Sequence, residues 1–79
     1  MKLDILSPEE AIFSGEVDAV SLPGISGRFQ LLNHHAAIIS ALGKGEIVYI
    51  TKDGKAELKC KINGGVVEML NNKVVVLID

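Results

Sequence analysis

Four groups of residues in this chain are of types that could do chemistry. They are Gly24 and Gly27 behind Pro23, the adjacent His34 and His35, the lone thiol Cys60, and the paired carboxylates Glu9 and Glu10. A phosphate loop needs G-x-x-x-x-G-K-[ST], and a dinucleotide fingerprint needs G-x-G-x-x-G opening a helix. Here "PGISG" is followed by Arg28 and then by strand-like residues, so it reads as a Pro-Gly corner and a hairpin turn. Adjacent histidines on extended chain point to opposite faces and do not converge on one ion. Asp18 and Glu46, the nearest acids in sequence, stand at no ligand spacing to them. His34 and His35 therefore read as loop histidines, held by hydrogen bonds or turned toward a partner. None of Ser7, Ser14, Ser21, Ser26 and Ser40 sits in a G-x-S-x-G elbow. Cys60 falls on the apolar side of an alternating run, where a thiol is usually inert. Glu9 and Glu10 read as a solvated edge. No metal and no cofactor is expected, and the absent constellations favour a binding or structural module over an enzyme.

The elements that must carry these residues belong to one small domain, residues 1–79. So short a chain hides only about 60% of its surface on folding, yet 48% of its residues are hydrophobic and its mean hydropathy is +0.35. Either a small core holds nearly all of that apolar surface, or part of it is kept for a partner. The longest apolar run, Val74 to Ile78, is far below the roughly 20 residues that span a bilayer. An acid at position 4 and a proline at position 8 make a signal peptide unexpected in MKLDILSPEE. Cys60 alone cannot close an internal disulfide, which suits a reducing cytoplasm. A net charge of −2 with two Phe, one Tyr and no Trp offers nucleic acid neither a basic footprint nor a stacking platform.

The dominant period is two. In "AELKCKI", Ala56, Leu58, Cys60 and Ile62 oppose Glu57, Lys59 and Lys61, the pattern of a strand with one dry face. The expected core joins Leu58, Cys60 and Ile62 to Leu3, Ile5, Val75 and Leu77, with Lys59 and Lys61 in water. In "EVDAVSL", Val17, Ala19 and Ser21 oppose Glu16, Asp18 and Val20 more loosely. "EIVYI" and "KVVVLI" are apolar at both parities, as in strands covered on both sides. "KDGK" and "NNK" read as hairpin turns, "NGG" as a bend, and "FSGE" as a further turn. "HHAAIISALGKG" fits a short helix or a short strand. Turn signals every 8 to 12 residues or so favour an all-β sandwich of short, mostly antiparallel strands.

Taken whole, "LPGISGRFQLLNHHAAIISALGKGEI" resembles the N-terminal β-sandwich domain of the epsilon subunit of bacterial F-type ATP synthases. The family pattern L-P-G-x-x-G-x-F/L-x-I-L-P-x-H-A-P-hydrophobic, followed by a leucine and a G-x-hydrophobic turn, runs through Leu22, Pro23, Gly24, Gly27, Phe29, Leu31, Leu32, His35, Ala36, Ile38, Leu42 and Gly45. "LDILSPEEAIFSGEVDAVSLPG" is similar to the family's opening strand pair, and "GGVVEMLNNKVVVLID" to its closing strands. Asn33 and Ala37 replace two prolines of the pattern, which removes two fixed φ angles from that loop. Family members commonly continue into a two-helix hairpin that binds ATP or inhibits rotation, and the sequence to Asp79 holds no such residues.

The resemblance implies a rotor subunit of the central stalk that binds the gamma subunit and docks it on the membrane c-ring. It thereby couples ion translocation to ATP synthesis, at the cytoplasmic face of the bacterial inner membrane and without a catalytic group of its own. Contact with the membrane comes only through the complex. It implies ring docking by Ser26 and Arg28, with Asn33, His34 and His35 in a loop beside them. It implies gamma binding by Ile38, Ile39, Ser40 and Leu42, and structural turns at Pro23, Gly24, Gly27, Gly64 and Gly65. A stand-alone β-sandwich that binds a small ligand or a peptide edge is the alternative. A metal-dependent hydrolase using His34 and His35 is a third reading.

Overall fold

Alternating strands joined by short turns are what the computed structural model shows over residues 1–79. The strands are β1 (Lys2–Leu6), β2 (Ala11–Gly24), β3 (Gly27–Leu32), β4 (Ile38–Leu42), β5 (Gly45–Thr51), β6 (Glu57–Ile62), β7 (Gly65–Leu70) and β8 (Lys73–Ile78). Pairing runs β1-β8-β7-β4-β2-β5-β6, with β3 on β2 and a further β1–β2 ladder. Every pair is antiparallel except β1–β8. The long β2 belongs to both layers of the sandwich. Its first half pairs with β1 in the layer of β8, β7 and β4, and its second half joins β3, β5 and β6. No helix is present; the segment open to either reading becomes the turn before β4 and then β4 itself.

Between the layers lies one core to which all eight strands contribute, with Leu3, Ile5, Val20, Leu22, Leu31, Ile47, Val67, Val74 and Val76 fully buried. Each such side chain contributes about 1.5–3 kcal/mol by leaving water. The Phe13 and Tyr49 rings meet in it at 4.5 Å between centroids.

Several expectations need correction. On β8 the inward residues are Val74 and Val76, while Val75 is half-buried on the outer side and Leu77 is exposed there. Five apolar residues in a row leave no polar marker of phase, and the pairing Leu3↔Val74 sets it. "KVVVLI" is thus covered on one side within this chain. On β2 the alternation changes phase. Val17 pairs with Thr51 and Ala19 with Ile50, so two residues of β2 answer one of β5. This bulge at Asp18 puts Val20 and Leu22 inside and Ser21 outside. Leu58 shares its side of the sheet with Tyr49, but β6 is an edge strand and leaves it 38% exposed. Cys60 is half-buried and Ile62 buried, while Lys59 and Lys61 are exposed.

"FSGE" is not a turn but the middle of β2, with the Phe13 ring lying over Gly15. The chain reverses instead at Ser7–Glu10, where the Ser7 N–H donates to the Glu10 carbonyl at 2.9 Å. "NNK" is the β7–β8 hairpin, with Asn71 and Asn72 at positive φ.

Candidate docking surfaces

The corner between β2 and β3 is built by its glycines. Gly24 faces Gly27 across the ladder, leaving Ile25 and Ser26 as an exposed two-residue tip. A Cβ on Gly24 would lie 2.6 Å from the Gly27 carbonyl oxygen, and Gly27 takes a φ of 130°. Pro23 is buried, with Gly45 packed against its ring. The tip is tied to the β4–β5 connection, since the Ile25 N–H donates to Ala41 O at 3.2 Å and the Gly43 N–H to Pro23 O at 2.8 Å. Arg28 does not extend from the tip. It pairs with Pro23, and its Nη2 donates to Ser21 O at 3.4 Å, so the guanidinium lies back along the outer face of the second layer. Beside this corner a polar hollow gathers Lys44, Glu46, Lys61 and Asn63. Gly64 is buried in the bend leading to β7, and a Cβ on Gly65 would overlap the Leu77 carbonyl oxygen.

Asn33, His34 and His35 do not lie beside the corner. They follow the far end of β3, about 17 Å from Arg28 at strand rise. Asn33 Oδ1 accepts from the Met1 amine, which also donates to Val17 O at 3.0 Å. The His34 N–H donates to Asn72 Oδ1 at 2.7 Å. Both histidines are exposed, and His35 Nδ1 meets its neighbour's carbonyl, Ala36 O, at 2.9 Å. No group of three or more His, Cys, Asp and Glu side chains converges anywhere in the molecule.

The stretch Ile38–Leu42 is divided by its own strand geometry. Leu42 is 4% exposed and Ile38 packs on the core, so both point inward along with Ser40. Leu42 is therefore closed to a partner. Ile39 is 70% exposed and faces the other way.

Ile39 does not stand alone. It belongs to the outer face of the first layer, where one row runs Leu6–Leu77–Val66–Ala41 across β1, β8, β7 and β4. The next row runs Asp4–Val75–Glu68–Ile39. Leu77, Val66 and Leu70 are exposed on this face. Sequence reasoning missed these residues, although the doubly apolar "VVEML" and "KVVVLI" carried the signal: such strands ask for cover on both sides, and this chain supplies one. Away from both surfaces, burial pushes the Cys60 thiol up. It also raises the Tyr49 hydroxyl, with a smaller push from Cys60.

The fold is an all-β sandwich whose first layer leaves an apolar sheet face uncovered. The chain belongs to the family of the ATP synthase delta/epsilon chain, beta-sandwich domain, whose family model matches residues 1–79. An ATP synthase epsilon chain of Dehalococcoides mccartyi is 43% identical over all 79 residues, and the chain spans 55% of that relative's length. One from Chlorobium limicola is 41% identical over 76 residues, which is 96% of this chain and 85% of the relative. Among solved structures, a chain of the Euglena gracilis mitochondrial ATP synthase, in an OSCP/F1/c-ring assembly, superposes with a TM-score of 0.88. The match covers 96% of this chain and 48% of that one at 22% identity, a likeness of fold.

Proposed function

We propose that this domain is a non-catalytic part of the ATP synthase central stalk, seated between the gamma subunit and the c-ring. The observation that carries the reading is the uncovered apolar face around Ile39, Val66 and Leu77. Such a face on a small soluble fold marks a protein contact, and family membership supports gamma as its occupant. The polar corner then meets the ring, through Ser26 and Ile25 at its tip and Arg28, Lys44 and Asn63 beside it. Asn33, His34 and His35 lie too far from that corner to share the contact. The domain reaches the cytoplasmic side of the membrane through the ring alone. A stiff sandwich held by one core transmits torque without chemistry of its own.

The test uses the purified chain with purified gamma subunit and purified c-ring. It is expected to retain gamma alone, and to retain the ring more strongly once gamma is present. A chain that retains neither overturns the reading.

A further inference from the structure

The apolar patch on the outer face of the first layer has one charge at its centre, with Lys2, Asp4 and Lys73 at its β1 and β7–β8 hairpin edge. Glu68 sits in the middle of β7, directly opposite Ile39 on one side and Val75 on the other. It shares a shallow hollow with Ile39, Val66, Val75 and Leu77. Two further hollows are also walled by Glu68, one at the start of β4 with Ile38 and Ile39 and one on this face toward Lys73. Its carboxylate has no partner of its own. The ion pairs of the molecule are Met1 amine with Glu16 and Lys2 with Asp4. Lys73, which walls one of these hollows with Glu68, makes no ion pair with it in this arrangement.

While the face is open, water satisfies this carboxylate. Any body that covers Ile39, Val66 and Leu77 covers Glu68 as well, because it stands among them. A carboxylate taken out of water without a cation is strongly unfavourable. Either Lys73 swings across the β7–β8 ladder onto it or the occupant brings the cation, and only the second fixes where the occupant sits.

We infer that the gamma segment seated on this face presents an apolar stripe interrupted by one Lys or Arg, and that this cation pairs with Glu68 and fixes the register of docking. The inference rests on the proposed reading that gamma covers the face. Apolar contact alone tolerates sliding along a sheet, whereas one ion pair inside a dry contact has a single position.

Binding of purified gamma to the 79-residue chain, measured by calorimetry, tests it. Glu68→Gln is expected to weaken binding roughly thirty-fold, and Glu68→Lys more. One Lys→Glu or Arg→Glu variant of gamma is expected to bind Glu68→Lys better than it binds the wild-type chain. Glu68 is exposed, so melting temperature and circular dichroism should stay unchanged in both variants. If the wild-type chain binds gamma and Glu68→Lys binds equally well, the ion pair is overturned while the docking reading stands. If the wild-type chain does not bind gamma, the docking reading falls and the inference with it. Self-association of the wild-type chain that Ile39→Asp abolishes would give the face to a second copy and overturn the inference.

Discussion

Asp53 holds its proton less tightly than an ordinary carboxylate because its turn is arranged around the charged form. The Lys55 N–H donates to Asp53 Oδ1 at 2.9 Å and the Thr51 hydroxyl at 2.7 Å, and these two contacts lower its pKa in that order. A depressed folded value means that the turn's contribution is full above the unfolded carboxylate value of about 3.9 and is lost as pH falls through the folded one. Nuclear magnetic resonance should show the Lys55 amide titrating with an acid midpoint below that value, and Asp53→Asn should abolish the step. A midpoint at or above the ordinary value would contradict the geometry. Cys60 is the opposite case, since burial favours its neutral thiol. Iodoacetamide at pH 8 should modify it several-fold more slowly than free cysteine, because the thiolate is the reacting form. A rate equal to that of free cysteine would show that the β5–β6 ladder opens readily at this edge.

Among the strands, phase was legible wherever polar residues marked it. Lys2 and Asp4 fixed β1, and Lys59 and Lys61 fixed β6. "VVVLI" carries no such marker, so β8 took its phase from β1 through a parallel pairing that no local pattern announces. The bulge at Asp18 is a property of β2 against β5 and is equally hidden in one strand read alone. Glycine misled at "FSGE" because Gly15 serves the Phe13 ring rather than a reversal. The candidate site was half legible for the same reason: a stretch such as Ile38–Leu42 looks apolar as a block, while a strand sends alternate residues to opposite faces. Edge and centre also differ in energy. Leu3→Ala removes a fully buried side chain and should cost about 2–5 kcal/mol in urea unfolding. Leu58→Ala acts on a 38% exposed edge residue and should cost only ~1 kcal/mol. Equal losses would mean that β6 is covered in solution by something outside its own ladder.

At the scale of the whole molecule, the two proposed contacts sit apart: the ring contact gathers at the β2–β3 corner and runs onto the second layer at Arg28, and the gamma contact centres on Ile39 and its neighbours. Arg28 lies on the outer face of the second layer and Ile39 on that of the first. Separate places and unlike chemistry make them separable by mutation. Arg28 is exposed, with one long hydrogen bond to Ser21 O and no ion pair, so its charge acts across solvent. Arg28→Glu should weaken ring capture, most at low ionic strength, because a rim charge is screened over about 8 Å at physiological salt. Gamma capture should not change. Ile39 is an apolar side chain on an apolar face, and Ile39→Asp places an unpaired carboxylate where a partner excludes water. It should weaken gamma capture with little dependence on salt. Because Ile39 is already 70% exposed, folding should tolerate the change, and the melting temperature checks that loss of binding is not loss of structure. The double variant should lose both partners by the sum of the single effects. Capture of gamma that is sensitive to Arg28→Glu and indifferent to Ile39→Asp would exchange the two faces, placing gamma on the second layer and leaving the apolar face of the first to another partner.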